Sequence, residues 1–416
     1  DRLWKMDDMG EPIWCKQYGI SSEHRARMPD GGLVFCEVTG YSADGDHIQI
    51  VRTDAQGEVI WSKMLTLQDP YVTFFNNGWL YSTTNDEGDC LITMSEIGGS
   101  AYQWFYCLDA DGELLWSRNF LFNPNAEHVE HICSDGLGGW FFGSYDWGAS
   151  VFRLGRLNTF GDMAWYKSYA VPFPQEFWLG GLCSLGFAPV VVGGYEMVFE
   201  EDYRWFVMRL NLNGTLDWFR VSTTPQSAMG RCEATNAGEL IVSCGNSGIP
   251  YCLARLSGTG EVVSSFQPEM LSVVGIACSH YFVDWDHFDT TLTLGDVVVT
   301  YPDTALFPPN QPAVWRLPIT DMSACGAEAI DLSSVLASNS AVAVQDQPFS
   351  EVIVPYTLTD TLCSVTSFSP IGVSDYCAYF IGMGQNERPV SSLMIASTLL
   401  ERGTPLTVST PGEAFN

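Results

Sequence analysis

The chain has 416 residues, 49 acidic against 19 basic, a formal net charge of −30 and 46% hydrophobic residues. A field of that sign repels phosphate backbones and excludes nucleic acid as a natural partner. No apolar run is long enough to cross a membrane as a helix, and the apolar content is enough for a large core.

The chain opens directly in a strand pattern at Asp1, as expected of a mature N-terminus. Residues 1–18 hold one hairpin, whose second half, Asp7 to Trp14, reads DDMGEPIW. The same device returns as DAQGEVIW from Asp54, DADGELLW from Asp109, NTFGDMAW from Asn158 and NLNGTLDW from Asn211. It appears once more, without its tryptophan, as SGTGEVVS from Ser257. An Asp or Asn that opens a tight turn can bond its own backbone, and glycine three residues on tolerates a positive φ. A type I turn closed by such a glycine joins antiparallel strands. The turn glycines Gly10, Gly57, Gly112, Gly161, Gly214 and Gly260 are 47, 55, 49, 53 and 46 residues apart. A period of that size belongs to a solenoid, a propeller or an array.

The strand entering each turn is apolar on both faces, as in HIQIVRT (47–53), WFYCL (104–108) and WFVMRL (205–210). Such strands lie between neighbouring layers. An earlier hairpin precedes each, as in ARMPDGGLVFCEVTG (26–40), CSDGLGGWFFGS (133–144) and EATNAGELIVSC (233–244). Each period is therefore four short strands with no helix pattern, which is a propeller blade. Five complete blades run to about residue 267. Residues 268–331 are divergent but still supply strands, and count as a sixth. The N-terminal hairpin needs two more strands, which the chain after 332 is placed to provide. The expected fold is an all-β propeller of seven four-stranded blades, closed by N- and C-terminal strands so that sheet edges are removed. Its repeats occupy 1–331. Residues 332–416 form a Ser/Thr/Val-rich segment without lysine, partly completing the last blade and partly extended.

The thirteen cysteines invite a disulfide reading, which the repeat opposes. Cys133 and Cys183 share a blade position with Ala26 and Thr83, and Cys232 falls near it. Cys36 corresponds to Thr93, Gly143 and Gly193. At such small-residue sites a buried cysteine packs as a small hydrophobe. No Cys-x-x-Cys pair supports a zinc or redox centre. Cys325 and Cys363 lie outside the regular repeats and pair if the compartment is oxidising.

Two residues before the small-residue column stand His24, Tyr81, His131 and Gly181, expected as a ring near the central axis. Glu127, His128 and Glu130 flank His131. Histidine with carboxylate can hold a transition metal, but His128 and His131 are three apart on one strand and should face opposite sides. No metal centre is assigned. Asp44 and Asp46, with Asp86, Glu87 and Asp89, have a calcium reading and a turn reading. The turn reading is preferred, because a calcium loop needs more ligands at set spacing. Glu200, Glu201 and Asp202 read as a solvated acidic run. No Gly-x-Ser-x-Gly elbow and no P-loop occur, so neither a catalytic residue nor a cofactor is assigned. The channel-mouth binding candidates are His24, Tyr81, Glu127, His131 and Trp178, the last grouped with Phe177 as loop aromatics suited to a glycan or protein.

The Asp-x-x-Gly-x-x-x-Trp hairpin resembles the tryptophan-docking repeat of quinoprotein-like propellers. That resemblance implies that Trp14, Trp61, Trp116, Trp165 and Trp218 pack between adjacent blades. The chain lacks the vicinal cysteine pair found at the quinone in that family, so no quinone is expected. A closer resemblance is to large secreted and surface propellers of Bacteroidota. Their repeats read like Pro29-Asp30-Gly31-Gly32, then Gly40-Tyr41, then Arg52 through Trp61, followed by a Ser/Val-rich stretch bounded by cysteines, here Cys325 and Cys363. Such proteins are often exported by the type IX secretion system with a C-terminal sorting domain, of which no clear copy is seen here. The resemblance covers about residues 1–365. It implies a non-catalytic secreted or cell-surface propeller, outer-membrane associated, that binds protein or glycan. Two alternatives stand beside it: a subunit of an outer-membrane, secretion or surface assembly, and an enzyme acting on polysaccharide or peptide at the channel mouth. A fold shared with a family does not confer its activity.

Overall fold

The computed structural model describes residues 3–6, 12–20, 24–42, 45–67, 79–95, 102–122, 127–146, 151–170, 177–197, 202–222, 232–235, 237–246, 249–268, 277–278, 282–285, 291–300, 311–318, 327–329, 336–338, 342–352 and 356–368. Every regular element among them is a β-strand.

The chain begins with the hairpin β1 (Leu3–Met6) and β2 (Pro12–Tyr18), the start of the first sheet. Five sheets of four consecutive strands follow. The second holds β3 (His24–Arg27), β4 (Leu33–Ser42), β5 (Gly45–Thr53) and β6 (Val59–Leu67). The third holds β7 (Trp79–Thr84), β8 (Cys90–Ser95), β9 (Tyr102–Leu108) and β10 (Leu114–Leu121). The fourth holds β11 (Glu127–Ser134), β12 (Trp140–Asp146), β13 (Val151–Leu157) and β14 (Met163–Ala170). The fifth holds β15 (Phe177–Leu185), β16 (Ala188–Met197), β17 (Asp202–Leu210) and β18 (Leu216–Ser222). The sixth holds β19 (Cys232–Ala234), β20 (Leu240–Asn246), β21 (Ile249–Leu256) and β22 (Val262–Pro268). In the seventh sheet β25 (Thr291–Thr300) pairs with each of β23 (Ala277–Cys278), β24 (Phe282–Trp285) and β26 (Gln311–Pro318).

The leading strands β3, β7, β11, β15 and β19 pack one against the next in that order. From the first sheet to the sixth, neighbouring sheets are joined by apolar layers among the described residues. One layer joins Ile48 and Ile50 of the second sheet to Ile92 and Trp104 of the third. The next joins Phe105 and Phe120 to Trp140 and Phe142 of the fourth. Further layers lie between the fourth and fifth sheets and between the fifth and sixth. Burial on both faces explains why the central strands lack the alternation of a half-exposed sheet. The described chain is all-β and propeller-like in this succession of sheets.

After the seventh sheet the chain runs back around the perimeter. β27 (Ala327–Ala329) pairs with β22, β28 (Leu336–Ser338) with β18, and β29 (Ala343–Asp346) with β14. β30 (Ser350–Val352) then pairs with β10, β31 (Tyr356–Asp360) with β6, and β32 (Val365–Phe368) with β2. Each pairing is antiparallel and adds an outermost strand. Strands β27 to β32 therefore join six sheets in reverse order; β27 lies just before residue 332, and the segment 332–416 supplies the other five, of which β32 joins the first sheet. The strands of this belt pair with the sheets through backbone hydrogen bonds, and most of the described side chains over 342–351 and 356–367 are exposed or half-buried. That accounts for its polar, β-prone composition. Its apolar anchors include Phe349, which meets Phe120 edge-on at 5.7 Å, Tyr356, which meets Tyr106 at 5.6 Å, and Val342, Leu358 and Val365, which pack on the apolar layers.

The repeat turns form as their sequence dictates. In Asp109–Glu113 the Asp109 carboxylate accepts from the N–H groups of Asp111 and Glu113, and Gly112 has φ +80°. The outgoing strand then shifts register by one residue before Trp116, so Leu115 bulges out and is exposed. One leading hairpin departs from the pattern. Leu185 pairs directly with Ala188, leaving only Gly186 and Phe187 in the turn, both with positive φ. That is the geometry of a type I′ turn. The short turn slides β16 by one place, so Val192, not Gly193, stands opposite Gly181 and corresponds to Cys36, Thr93 and Gly143. Gly193 pairs with Leu179.

Candidate functional site

The leading strands bring together two of the ring candidates. The Tyr81 and His131 rings lie 6.3 Å apart, on adjacent sheets. His131 reaches the opposite way as well: its Nε2, protonated in the tautomer that donates, lies 3.3 Å from the Leu179 carbonyl. His131 thus bridges the third, fourth and fifth sheets. Room for this comes from Gly143, paired with His131, where a Cβ would stand 3.1–3.2 Å from Leu154 and Leu179. Gly181 is buried opposite Val192.

His24, Glu127 and Trp178 are placed by backbone only, opposite Cys36, Asp146 and Gly194; their side chains lie outside the described residues. Phe177 and Trp178 are not loop aromatics. They open β15, where the Gly180-Gly181 pair breaks the apolar run that marks a strand. The alternation count for His128 and His131 also fails, because the register shifts by one between Val129 and His131. Asp86, Glu87 and Asp89 belong to the Asn85–Asp89 turn, in which Asn85 bonds both the amide and the carboxylate of Asp89. Asp44, Glu200 and Glu201 lie outside the described residues. Among the described residues no cluster of three or more His, Cys, Asp or Glu is placed to hold a metal ion. Cys363 is a free thiol, and Cys325 lies outside the described residues.

The most regular chemistry lies at the joints between sheets. Each repeat tryptophan donates its indole N–H to a turn carbonyl of the next sheet. Trp14 donates to Ala55 (3.2 Å), Trp61 to Ala110 (2.9 Å), Trp116 to Thr159 (3.0 Å), Trp165 to Leu212 (2.8 Å) and Trp218 to Gly258 (3.1 Å). The ring also lies against the turn glycine. At Gly161 a Cβ would stand 2.5 Å from the Trp116 ring, so no side chain fits there.

A second column accompanies the first. Two residues after each tryptophan stands a cation: Lys16, Lys63, Arg118, Lys167 and Arg220. Lys16 binds Glu58 (2.6 Å), Lys63 binds Glu113 (3.2 Å), Arg118 binds Asp162 (3.0 Å) and Arg220 binds Glu261 (2.9 Å), each across a joint. The belt adds acids to the same cations, with Asp360 on Lys63 (3.0 Å), Glu351 on Arg118 (3.5 Å) and Asp346 on Lys167 (3.1 Å). The hydrogen bond to Asp360 is the chief cause of a raised Lys63 pKa. The Trp-x-Lys/Arg spacing is visible in the sequence and is the signal by which this column is found.

A third set of cations fastens the two hairpins within a sheet. Arg52 binds Asp30 (2.7 Å), Arg156 binds the fully buried Asp135 (2.7 Å), and Arg255 grips Glu239 through two nitrogens (2.6 and 2.9 Å). Arg209 faces the short turn instead and donates to the Leu185 carbonyl (3.4 Å). These groups hold the scaffold rather than approach a reacting centre.

No protein-family model matches the sequence, and no curated protein matches it. No helix among the described residues is long and apolar enough to cross a membrane.

Proposed function

We propose that the protein is a non-catalytic secreted or cell-surface β-propeller that serves as a binding module or scaffold for protein or glycan. In this reading the seven sheets are blades around a central axis, and strands from both termini complete the first. On the same reading the docking hairpins are of the quinoprotein-like kind, and their pattern resembles that of secreted propellers of Bacteroidota exported by the type IX system.

The observation that carries the reading is the orientation of charge at the joints. The cations are tucked under the turns, whereas their partners Glu58, Glu113 and Glu261 stand outward in water. The molecule thus offers partners a stiff acidic surface made by repeats, suited to recognition rather than to turnover. The test is chemical cross-linking on intact source cells with surface-restricted reagents, together with a glycan array. Reproducible cross-links to one surface component, or selective glycan retention, supports the proposal. Location inside the cell, or turnover of a polysaccharide or peptide that stops when a single carboxylate is neutralised, refutes it.

A further inference from the structure

The first-to-second and third-to-fourth strand turns of each four-stranded meander lie at the same end of the sheet, because antiparallel strands reverse twice between them. On that end stand seven of the large apolar side chains that the fold leaves in water: Ile13, Ile60, Leu115, Leu137, Phe160, Phe187 and Val263. Ile13, Ile60, Leu115 and Val263 occupy one recurrent place, three residues after the turn glycine, where the two repeats between Leu115 and Val263 carry Ala164 and Asp217.

Four of the seven stand on or beside neighbouring turns of the third, fourth and fifth sheets. Leu115 adjoins Trp116, whose ring sits under the turn that carries Phe160, the most exposed of the four at 70%. Thr159 of that turn abuts Gly138, beside Leu137; a Cβ on Gly138 would lie 2.7 Å from the Thr159 methyl. On the far side the Phe187 ring covers Gly136, where a Cβ would lie 2.9 Å from it. Singly scattered surface apolar residues need no account, whereas a gathering of them on touching turns is the kind of surface that interaction sites use.

Phe187 gives an independent pointer. Its φ is +66°, and it is the sole non-glycine residue with positive φ among the described residues. Glycine would hold that turn without strain, so the backbone is held in an unfavourable state while a half-exposed aromatic ring is presented to water. Around the patch stand outward carboxylates, Glu113 and Asp162, whose own cations lie beneath them.

The geometry points to this turn face as the docking site for a protein surface of apolar side chains edged with lysine or arginine. The apolar patch takes the partner's centre, and the carboxylate rim takes its cations and sets the approach. The inference rests on the binding-module reading and names the class of partner.

The test uses the full chain and defined probes. A labelled amphipathic helical peptide of leucine and lysine is titrated against it, beside a serine/lysine peptide of equal charge, at several salt concentrations. The leucine peptide should bind at least about tenfold more tightly. The double variant Phe160→Ser/Phe187→Asn should lose about tenfold in that affinity while melting at or above the parent temperature, since Asn tolerates the left-handed region. Three results overturn the inference: equal binding of both peptides, parent-like binding by the double variant, or a fall in melting temperature that shows these rings to be structural. Binding to uncharged phosphatidylcholine vesicles that needs the same two residues also overturns it, in favour of a lipid surface. If the probes behave as expected but no partner is found at the cell surface, the face stands and the cellular placement fails.

Discussion

Replacing Trp116 by alanine tests the joint directly. The indole is buried between the third and fourth sheets, against Phe105, Phe120 and Leu157, and donates to the Thr159 carbonyl at 3.0 Å. A buried Trp to Ala change costs about 3–5 kcal/mol in lost transfer and cavity. Loss of the hydrogen bond adds about 1 kcal/mol. Unfolding entropy of about 2.1 cal/mol/K per residue over a chain of this length converts the sum to a fall of roughly 5 °C, if the sheets melt as one unit. If they melt singly the fall is larger, because a smaller unit carries a smaller entropy. The assay is differential scanning calorimetry of Trp116→Ala, Trp116→Phe and Leu362→Ala. Leu362 is 95% exposed and serves as the surface control. Trp116→Phe keeps most of the packing and loses the N–H, so it should fall between parent and alanine. If Trp116→Ala melts with the Leu362→Ala control, the joint does not hold the sheets together and the docking argument is wrong.

Three further outcomes follow from the same geometry. At Asp30, burial pushes the carboxyl pKa up, but hydrogen bonds from Arg52 and the Gly32 amide outweigh it, and the group titrates below its usual value. A depressed carboxylate contributes stability above the unfolded value of about 3.9 and loses it as pH falls through the folded one. Asp30→Asn should therefore flatten the loss of melting temperature below about pH 4, and an unchanged slope would count against the Arg52 contact. Burial pushes the Cys36 thiol up to about 12 and raises Cys90 and Cys107 as well, so all three should resist alkylation at pH 8 in the native state and react after denaturation. Peptide mapping of the labelled protein checks this, and native labelling at Cys36 would refute it. Neutralising the belt with Asp346→Asn, Glu351→Gln and Asp360→Asn together should speed amide exchange over 343–360 at low salt and leave β8 and β12 unchanged. Equal exchange in parent and variant would show that backbone pairing alone fixes the belt.

What the sequence disclosed is what is local. An Asp or Asn followed three residues later by glycine makes its own turn, so Asp109, Asn158 and Asn211 announce themselves. The tryptophan after each turn has one size and one spacing, and its place between sheets follows. The belt is different in kind. Its strands are three to five residues long. They are held by carbonyl and amide groups of the backbone, and their pairing with strands from about 60 to about 350 residues away leaves no periodic trace. The meeting of Tyr81 with His131 was legible as a column but not as a contact, because distance across a joint depends on packing. The slip at Val192 came from a turn three residues shorter than its counterparts, and only strand pairing reveals that. Phe177 and Trp178 read as loop aromatics in the sequence for a similar reason: the two adjacent glycines Gly180 and Gly181 erase the strand signal within β15.

Salt separates the two electrostatic influences in the molecule. Nine cations, Lys16, Lys63, Arg118, Lys167 and Arg220 at the joints and Arg52, Arg156, Arg209 and Arg255 within sheets, are largely shielded from solvent and sit close to carboxylates. Against them stands the mutual repulsion of a chain with net charge −30, carried by carboxylates, a residue class that folded chains keep mostly exposed. Mobile ions screen exposed charges separated by more than about 8–10 Å and reach partly buried contacts much less. Added sodium chloride should therefore remove more repulsion than attraction, and the melting temperature should rise between about 10 mM and 500 mM, the range over which the Debye length falls from about 30 Å to a few ångströms. A scan in sodium chloride, repeated in tetramethylammonium chloride to separate screening from cation binding, measures it. A melting temperature that falls with salt would mean that the ion pairs at the joints and within the sheets together outweigh the repulsion.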